Sequence, residues 1–307
     1  MDMKGMVFPG LAPSTYEDVE LFIKTSPYAK RRFDEASSVL GYSLADAFSE
    51  ANEYDHEVME CAFLANTVAC LDYFKDQHNC IPEVAIGASF GGMATIVHTE
   101  SLTYAETVWL SKLSANLSKK WFDRLGNYQT HFIYNLPLEE ANNLVNKYNS
   151  KGLYLELVGY LDKVVSLCGE AATIKLLKDE LNDKSKCFSL HTMMQPIHSK
   201  ILTPMKLDAE REIYNQMVFK DPKFPIISDV NGDVLRSKEE FIQTLLDGYD
   251  HPIRWDCVSD RMNEFGMKEV YVVGPKNLFS QLLKSKFTTI TINPNTVTDR
   301  MTSAVNS

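Results

Sequence analysis

No run of about 18 apolar residues occurs anywhere in this chain, which excludes a membrane-spanning helix. No two of its six cysteines form a Cys-x-x-Cys pair. Cys61, Cys70, Cys80, Cys168, Cys187 and Cys257 are scattered and read as reduced thiols, mostly core filler, in a cytoplasmic protein. A Walker loop, a dinucleotide fingerprint and a His-Glu-x-x-His signature are all missing, so no motif points to nucleotide or zinc chemistry. His98, His131 and His198 lack metal-ligand spacing to one another, and no metal is expected. Positive charge is scarce: 31 Lys and Arg against 41 Asp and Glu leave a net charge of −10, which argues against nucleic acid as a partner. The start, Met1-Asp2-Met3-Lys4-Gly5-Met6-Val7-Phe8, carries no signal-peptide apolar region and runs into what reads as a strand.

What is present is a sharp local signal. The apolar run Val84-Ala85-Ile86 ends in Gly87-Ala88-Ser89-Phe90-Gly91, and Met93-Ala94-Thr95-Ile96-Val97 follows as a helix-compatible stretch. Strand, Gly-x-Ser-x-Gly turn and helix together are the setting of a nucleophile elbow. Such a turn strains the serine backbone and brings strand and helix so close that Gly87 and Gly91 cannot carry side chains. Ser89 would stand at a helix N-terminus, where free N–H groups favour a developing oxyanion. A serine that merely caps the helix is the plainer reading of the same five residues.

With 45% hydrophobic residues, 307 residues can build one large core or two modest ones. Strand-like and helix-like segments alternate, which argues for an α/β fold. Met6-Val7-Phe8 reads as a first strand; Tyr16 to Ala36, Glu57 to Asp76 and Leu102 to Lys120 read as helices, with Thr103 and Glu106 forming a capping box. From about Asn127 the rhythm becomes strand, helix, strand, helix, strand, with the runs Leu153 to Val158 and Lys163 to Leu167 between the two helices, ending at Lys186-Cys187-Phe188-Ser189-Leu190. That order fits a small ferredoxin-like α+β subdomain inserted into a larger domain. The larger domain would resume at His191 with a long helix and end on the strand Glu269 to Val273, leaving a ragged polar tail from about Thr291.

Six short motifs then fall in register. Phe8-Pro9-Gly10, Gly87-x-Ser89-x-Gly91, a late His191, Pro225-Ile226-Ile227-Ser228, His251-Pro252-Ile253-Arg254-Trp255 and Val273-Gly274-Pro275 follow the order and spacing of malonyl-CoA:acyl carrier protein transacylases. The chain resembles that family, including the trans-acting acyltransferases of polyketide synthases, over roughly residues 6 to 290. The resemblance implies an α/β-hydrolase-like large domain with a parallel sheet, built from residues 1–126 and 191–307, around the ferredoxin-like subdomain 127–190. It implies a Ser–His mechanism in which Ser89 takes the acyl group from a thioester and passes it to the phosphopantetheine thiol of an acyl carrier protein. His191 matches the catalytic histidine, although four residues rather than the usual five separate it from Pro196; His198 is the rival, placed on the following stretch of expected helix. The backbone carbonyl of His251 would orient the base, and the backbone N–H groups of Leu11 and Phe90 would form the oxyanion hole, Leu11 standing where the family has glutamine.

The departures from the family pattern bear on the donor. Ser114 stands where malonyl-specific members carry the arginine that pairs with the malonyl carboxylate, a contact among the stronger polar ones in a dry pocket. Glu60 takes the place of a pocket glutamine, and Phe188-Ser189-Leu190-His191 replaces the tetrapeptides that accompany malonyl or methylmalonyl; Phe188 and Ser189 are therefore expected at the substrate as well. Lys112 or Asn116, on the same helix as Ser114, could compensate for the lost cation. The expected activity is transfer of an extender-type acyl group, hydroxymalonyl- or aminomalonyl-like, in polyketide, nonribosomal peptide or fatty-acid biosynthesis. The expected protein is a monomer working without a cofactor, since a thioester is already activated. An acyl hydrolase that clears carrier proteins and a non-catalytic docking module are the alternatives. Lys119, Lys120, Arg124, Lys184 and Lys186 are candidates for a basic patch that meets the acidic carrier protein.

Overall fold

A computed structural model describes residues 3–305 apart from Pro13, Asn79, 183–185 and 277–278. Two sheets organise the chain. The strands are β1 (Lys4–Phe8), β2 (Val84–Gly87), β3 (Tyr128–Tyr134), β4 (Leu155–Leu161), β5 (Val164–Glu170), β6 (Phe188–Met193), β7 (Ile226–Ile227), β8 (Val234–Leu235), β9 (Ile253–Arg254), β10 (Glu269–Val273) and β11 (Thr288–Ile292). The larger sheet has the order β11-β10-β1-β2-β7-β8 and is parallel except for β8. The smaller has the order β6-β3-β5-β4-β9, its first four strands antiparallel. The sequence β3, helix, β4, β5, helix, β6 with that spatial order is the ferredoxin-like arrangement. The expected α/β class with an inserted α+β unit is what the chain adopts.

Packing explains the partition. Met6, Val7, Phe8, Ala85 and Ile86 in the two central parallel strands are fully buried, as a sheet covered on both faces requires. One cover is the long helix His56–Gln77, buried at every position from Cys61 to Phe74. The small sheet closes its own core of Ile133, Leu144, Val165, Leu167, Ile174 and Leu177. All six cysteines are thiols and not disulfides. Among the described residues no helix is long and apolar enough to cross a membrane.

Four expectations need correction. The single helix from Tyr16 to Ala36 is two helices, Tyr16–Thr25 and Pro27–Leu40, because Ser26 accepts from Ala29 N–H as an N-cap and Pro27 opens the second helix. The small sheet does not stop at 190: β6 continues to Met193 in register with Thr130, and β9 from the late chain pairs with β4. No long helix starts at His191; the next α-helix is Thr203–Glu212. The tail is also ordered. Thr288–Ile292 extends the sheet beside β10, and Asn293 caps the helix Pro294–Val305 by accepting from Thr296 N–H at 2.9 Å.

Candidate active site

The carboxyl ends of β1 and β2 lie side by side at the centre of the large sheet, and the crevice outside such ends is where open parallel sheets bind ligands. Ser89 follows β2 there with φ of +52°, a left-handed conformation rare for a residue with a side chain. The elbow leaves its glycines no alternative. A Cβ on Gly87 would lie 2.7 Å from the backbone carbon of Gly91, and one on Gly91 would collide with the Phe8 carbonyl. The helix Gly91–His98 departs immediately, as the sequence requires.

The imidazole that reaches Ser89 is that of His198. Its Nε2 lies 2.9 Å from Ser89 Oγ, and its Nδ1 lies 2.6 Å from the Gly248 carbonyl oxygen. A carbonyl only accepts, so Nδ1 carries the proton and Nε2 presents its lone pair to the serine hydroxyl. Gly248 sits in the last turn of the helix Lys238–Asp250, the negative end of the helix dipole, which also favours an imidazolium. Burial pushes the His198 pKa down to about 4, with the Gly248 carbonyl opposing the shift. The ring is therefore neutral, the form a general base needs, across the physiological range.

His198 arrives by a turn, not a helix, and is itself left-handed at φ of +52°. Its backbone is held from the small sheet: Ser199 Oγ donates to Glu156 at 2.5 Å, Lys200 N–H donates to the same carboxylate at 3.0 Å, and Thr130 Oγ–H donates to the Gln195 carbonyl at 3.0 Å. Nucleophile and base are thus delivered by different sheets.

His191 does not reach Ser89. It lies on β6, exposed, with its ring over Phe132 at 6.5 Å between centroids. The reason is the extension of β6: the strand carries His191 along the edge of the small sheet, and the chain turns toward Ser89 only after Met193. The same shift removes two further expectations. Phe188 is 57% exposed, Ser189 Oγ bonds His131 Nε2 at 3.0 Å, and neither lines the cavity around Ser89. The carbonyl that orients the base belongs to Gly248 and not to His251, whose Nδ1 instead meets Asp250 at 2.7 Å. Asp247, Asp250 and His251 converge closely enough to suggest metal ligands, but Lys206 Nζ already stands among them at 2.6 Å from Asp247 and 3.0 Å from Asp250.

Ser89 opens into a cavity of about 360 Å³, within the usual range for a small-molecule site. Leu11, Phe90, Glu60 and Ser114 all line it, as expected. Neither the Phe90 nor the Leu11 N–H finds an acceptor among the described residues, which leaves both able to bind an oxyanion. Ser114 is buried, its hydroxyl beside Tyr249 and without a partner in hydrogen-bond geometry. Glu60 is half-buried, no cation lies against it among the described residues, and burial raises its carboxyl to about 8. Lys276 is the one lysine or arginine lining the cavity among the described residues, and it pairs with Asp18 at 2.7 Å. Lys112 and Asn116 do not compensate for Ser114: Asn116 donates to Glu57 at 2.8 Å, Lys112 lies 3.8 Å from the same residue, and neither reaches the cavity.

Sequence reading missed Gly248, Tyr249 and Asp229 in this wall. Asp229 had a signal, since it directly follows the motif Pro225-Ile226-Ile227-Ser228.

No family model matches the chain. Curated relatives do. A malonyl CoA-acyl carrier protein transacylase of Buchnera aphidicola is 22% identical over 313 residues, covering 96% of each chain. The enzyme of that name from Bacillus subtilis is 22% identical over 287 residues, covering 92% of this chain and 87% of its own. Among solved structures, FabD from Acinetobacter baumannii superposes with a TM-score of 0.85 at 20% identity, covering 99% of this chain and 98% of that one. A malonyl-transacylase solved in complex with a type II polyketide synthase acyl-carrier protein superposes with a TM-score of 0.83 at 21% identity, covering 95% and 96%.

Proposed function

We propose that the chain, whose curated relatives are malonyl CoA-acyl carrier protein transacylases, is an acyltransferase that moves an acyl group from a thioester to an acyl carrier protein through an ester on Ser89. The observation that carries this reading is the 2.9 Å contact between Ser89 Oγ and His198 Nε2 at the wall of a ligand-sized cavity. Ser89 Oγ attacks the thioester carbonyl while His198 Nε2 takes its proton. The tetrahedral oxyanion lies against the Phe90 and Leu11 N–H groups, and the Gly248 carbonyl stabilises the imidazolium. Collapse expels the thiol, which leaves with the proton from His198. The phosphopantetheine thiol then gives its proton to His198, attacks the ester and regenerates Ser89. No step calls on a metal or bound cofactor, since the thioester already supplies an activated carbonyl. In this reading the protein works as a monomer in the cytoplasm.

The donor is a polar malonate derivative of the hydroxymalonyl or aminomalonyl type. Ser114 and Glu60 support this: a bare carboxylate meets no guanidinium here, whereas an added hydroxyl or amine meets two hydrogen-bonding side chains. Intact-protein mass after mixing with malonyl, hydroxymalonyl and aminomalonyl thioesters tests the whole reading. A lasting adduct on Ser89 that a carrier protein discharges is expected. Turnover to free acid would make the chain a hydrolase, and no adduct with any thioester would make it a docking module.

Ser114→Arg should raise malonyl loading against the natural donor by about ten- to a hundredfold, since a hydrogen bond to a charged group contributes about 1.5–3 kcal/mol. Glu60→Gln belongs beside it, because Glu60 can pair with the new guanidinium. Competition assays read the ratio directly. If the wild type loads malonyl-CoA as fast as any other donor, the donor choice is wrong and the family mechanism stands.

Carrier-protein docking falls on the end of the helix Tyr104–Arg124, whose Ser118 and Phe122 line the cavity. Lys119 and Lys120 follow there, Lys119 only 3.9 Å from Asp123 and both well exposed; Lys184 lies outside the described residues. Reversing the charge of Lys119 and Lys120 should slow transfer to the carrier protein severalfold at low salt and leave acylation of Ser89 unchanged. An unchanged transfer rate and salt dependence would remove this patch from the interface.

A further inference from the structure

The Ser89 N–H does not stay free in the elbow: it donates to Asp229 Oδ2 at 2.6 Å, across 140 residues of chain. Asp229 is only 7% exposed. It stands one residue past Ser228 at the end of β7, and β7 pairs directly with β2, the strand that delivers Ser89. Its own backbone is pinned, because Arg254 N–H donates to the Asp229 carbonyl at 2.8 Å and Gly232 N–H donates to the Ser228 carbonyl at 2.9 Å. We infer that Asp229 is the positioning residue of the nucleophile, its carboxylate holding the Ser89 N–H and thereby fixing the left-handed elbow against the neighbouring strand.

The chemistry favours that role. A left-handed non-glycine residue persists only where its surroundings over-determine it, and a hydrogen bond from N–H to a carboxylate is among the stronger ones available. The next N–H in the chain, that of Phe90, is an oxyanion donor, so a small rotation of the Ser89 backbone would misplace hydroxyl and donor together.

The carboxylate has no ion-pair partner among the described residues. Of the charged groups on the surrounding elements, Lys276 is bound to Asp18, Arg254 to Asp256 and Asp233 to Asn231. His198 faces Ser89 and is neutral above about pH 4. Burial raises Asp229 to about 6, against the opposing pull of the Ser89 N–H. Protonation weakens the acceptor and brings a new proton into a buried site, so the clamp loosens as pH falls through that value.

The inference rests on Ser89 being the nucleophile but not on the choice of donor, so the test uses a fluorophosphonate, from which Ser89 Oγ displaces fluoride. Labelling of the wild type at Ser89 is the control; a wild type that is not labelled would count against the mechanism itself. In the wild type, the labelling rate should fall as pH drops through about 6. Asp229→Ala should lower it by about tenfold or more at neutral pH. Asp229→Asn keeps an acceptor oxygen but not the charge, so it should restore only part of the rate, to about the level of the wild type below pH 6, while moving the acid limb down toward the value of His198. Thermal melting of each variant separates loss of fold from loss of reactivity. Labelling of a folded Asp229→Ala at the wild-type rate would overturn the inference, as would an acid limb near 6 that survives in Asp229→Asn.

Discussion

Ser89→Ala should abolish formation of the acyl-enzyme while leaving the fold in place. The backbone there is left-handed with a serine side chain already present, so alanine adds no atom and no new strain. Its N–H still donates to Asp229, and Gly87 and Gly91 still allow the close approach of strand and helix. The expected stability change is within about 1 kcal/mol, because Ser89 and His198 both line the cavity and water there can meet His198 Nε2 once the hydroxyl is gone. Intact mass after incubation with acyl thioesters reads the chemistry and thermal melting the fold. An adduct in Ser89→Ala would locate the ester elsewhere and remove the mechanism.

His198→Ala should slow both acylation and transfer by about 10² or more, because one imidazole serves both half-reactions. His191→Ala should leave both rates within about twofold, since an exposed side chain stacked on Phe132 and away from Ser89 has little to lose. Single-turnover acylation and transfer rates separate the two histidines, and a larger loss in His191→Ala would refute the assignment made from the contact with Ser89. The pH dependence has a definite sign. The folded pKa of His198, about 4, lies below its ordinary value of 6.5, so the unfolded chain binds more protons between the two. The stability contribution of a neutral His198 is therefore full above about 6.5 and is lost as pH falls toward 4, an acid sensitivity that His198→Gln should reduce.

Why the elbow was legible and the base was not follows from the range of the forces involved. Gly87, Ser89 and Gly91 meet their constraints within a few residues, since the atoms that forbid a side chain belong to the adjacent helix and strand. The ferredoxin-like order was legible for the same reason, through alternating runs of local period. His198 depends on how far β6 continues beside β3, a pairing between residues 54 to 63 apart in the chain that no local pattern encodes. A four-residue gap before Pro196 was the one visible sign that the family spacing did not hold there. Gly248 was hidden for a further reason: its contribution is a backbone carbonyl, available to any residue type, and a Cβ at that position would meet nothing within 4 Å. The ordered tail was legible in principle. Thr288-Thr289-Ile290-Thr291-Ile292 is rich in β-branched residues, and Asn293-Pro294 is an N-cap followed by proline at the first helical position. Its polarity masked both.

The division of the Ser89–His198 pair between two sheets limits how this protein can be recombined. The small subdomain is not a cassette. Glu156 on β4 and Thr130 on β3 set the path of residues 195 to 200, and β9 returns from the large domain to lie beside β4. A chimera that exchanged residues 127–190 for those of a relative would keep Ser89, His198 and Gly248 in its sequence, yet would draw the base toward another protein's anchor points. Engineers changing acyl or carrier preference by grafting should therefore move the cut sites past Lys200 and carry the Ile253–Arg254 strand along with the insert.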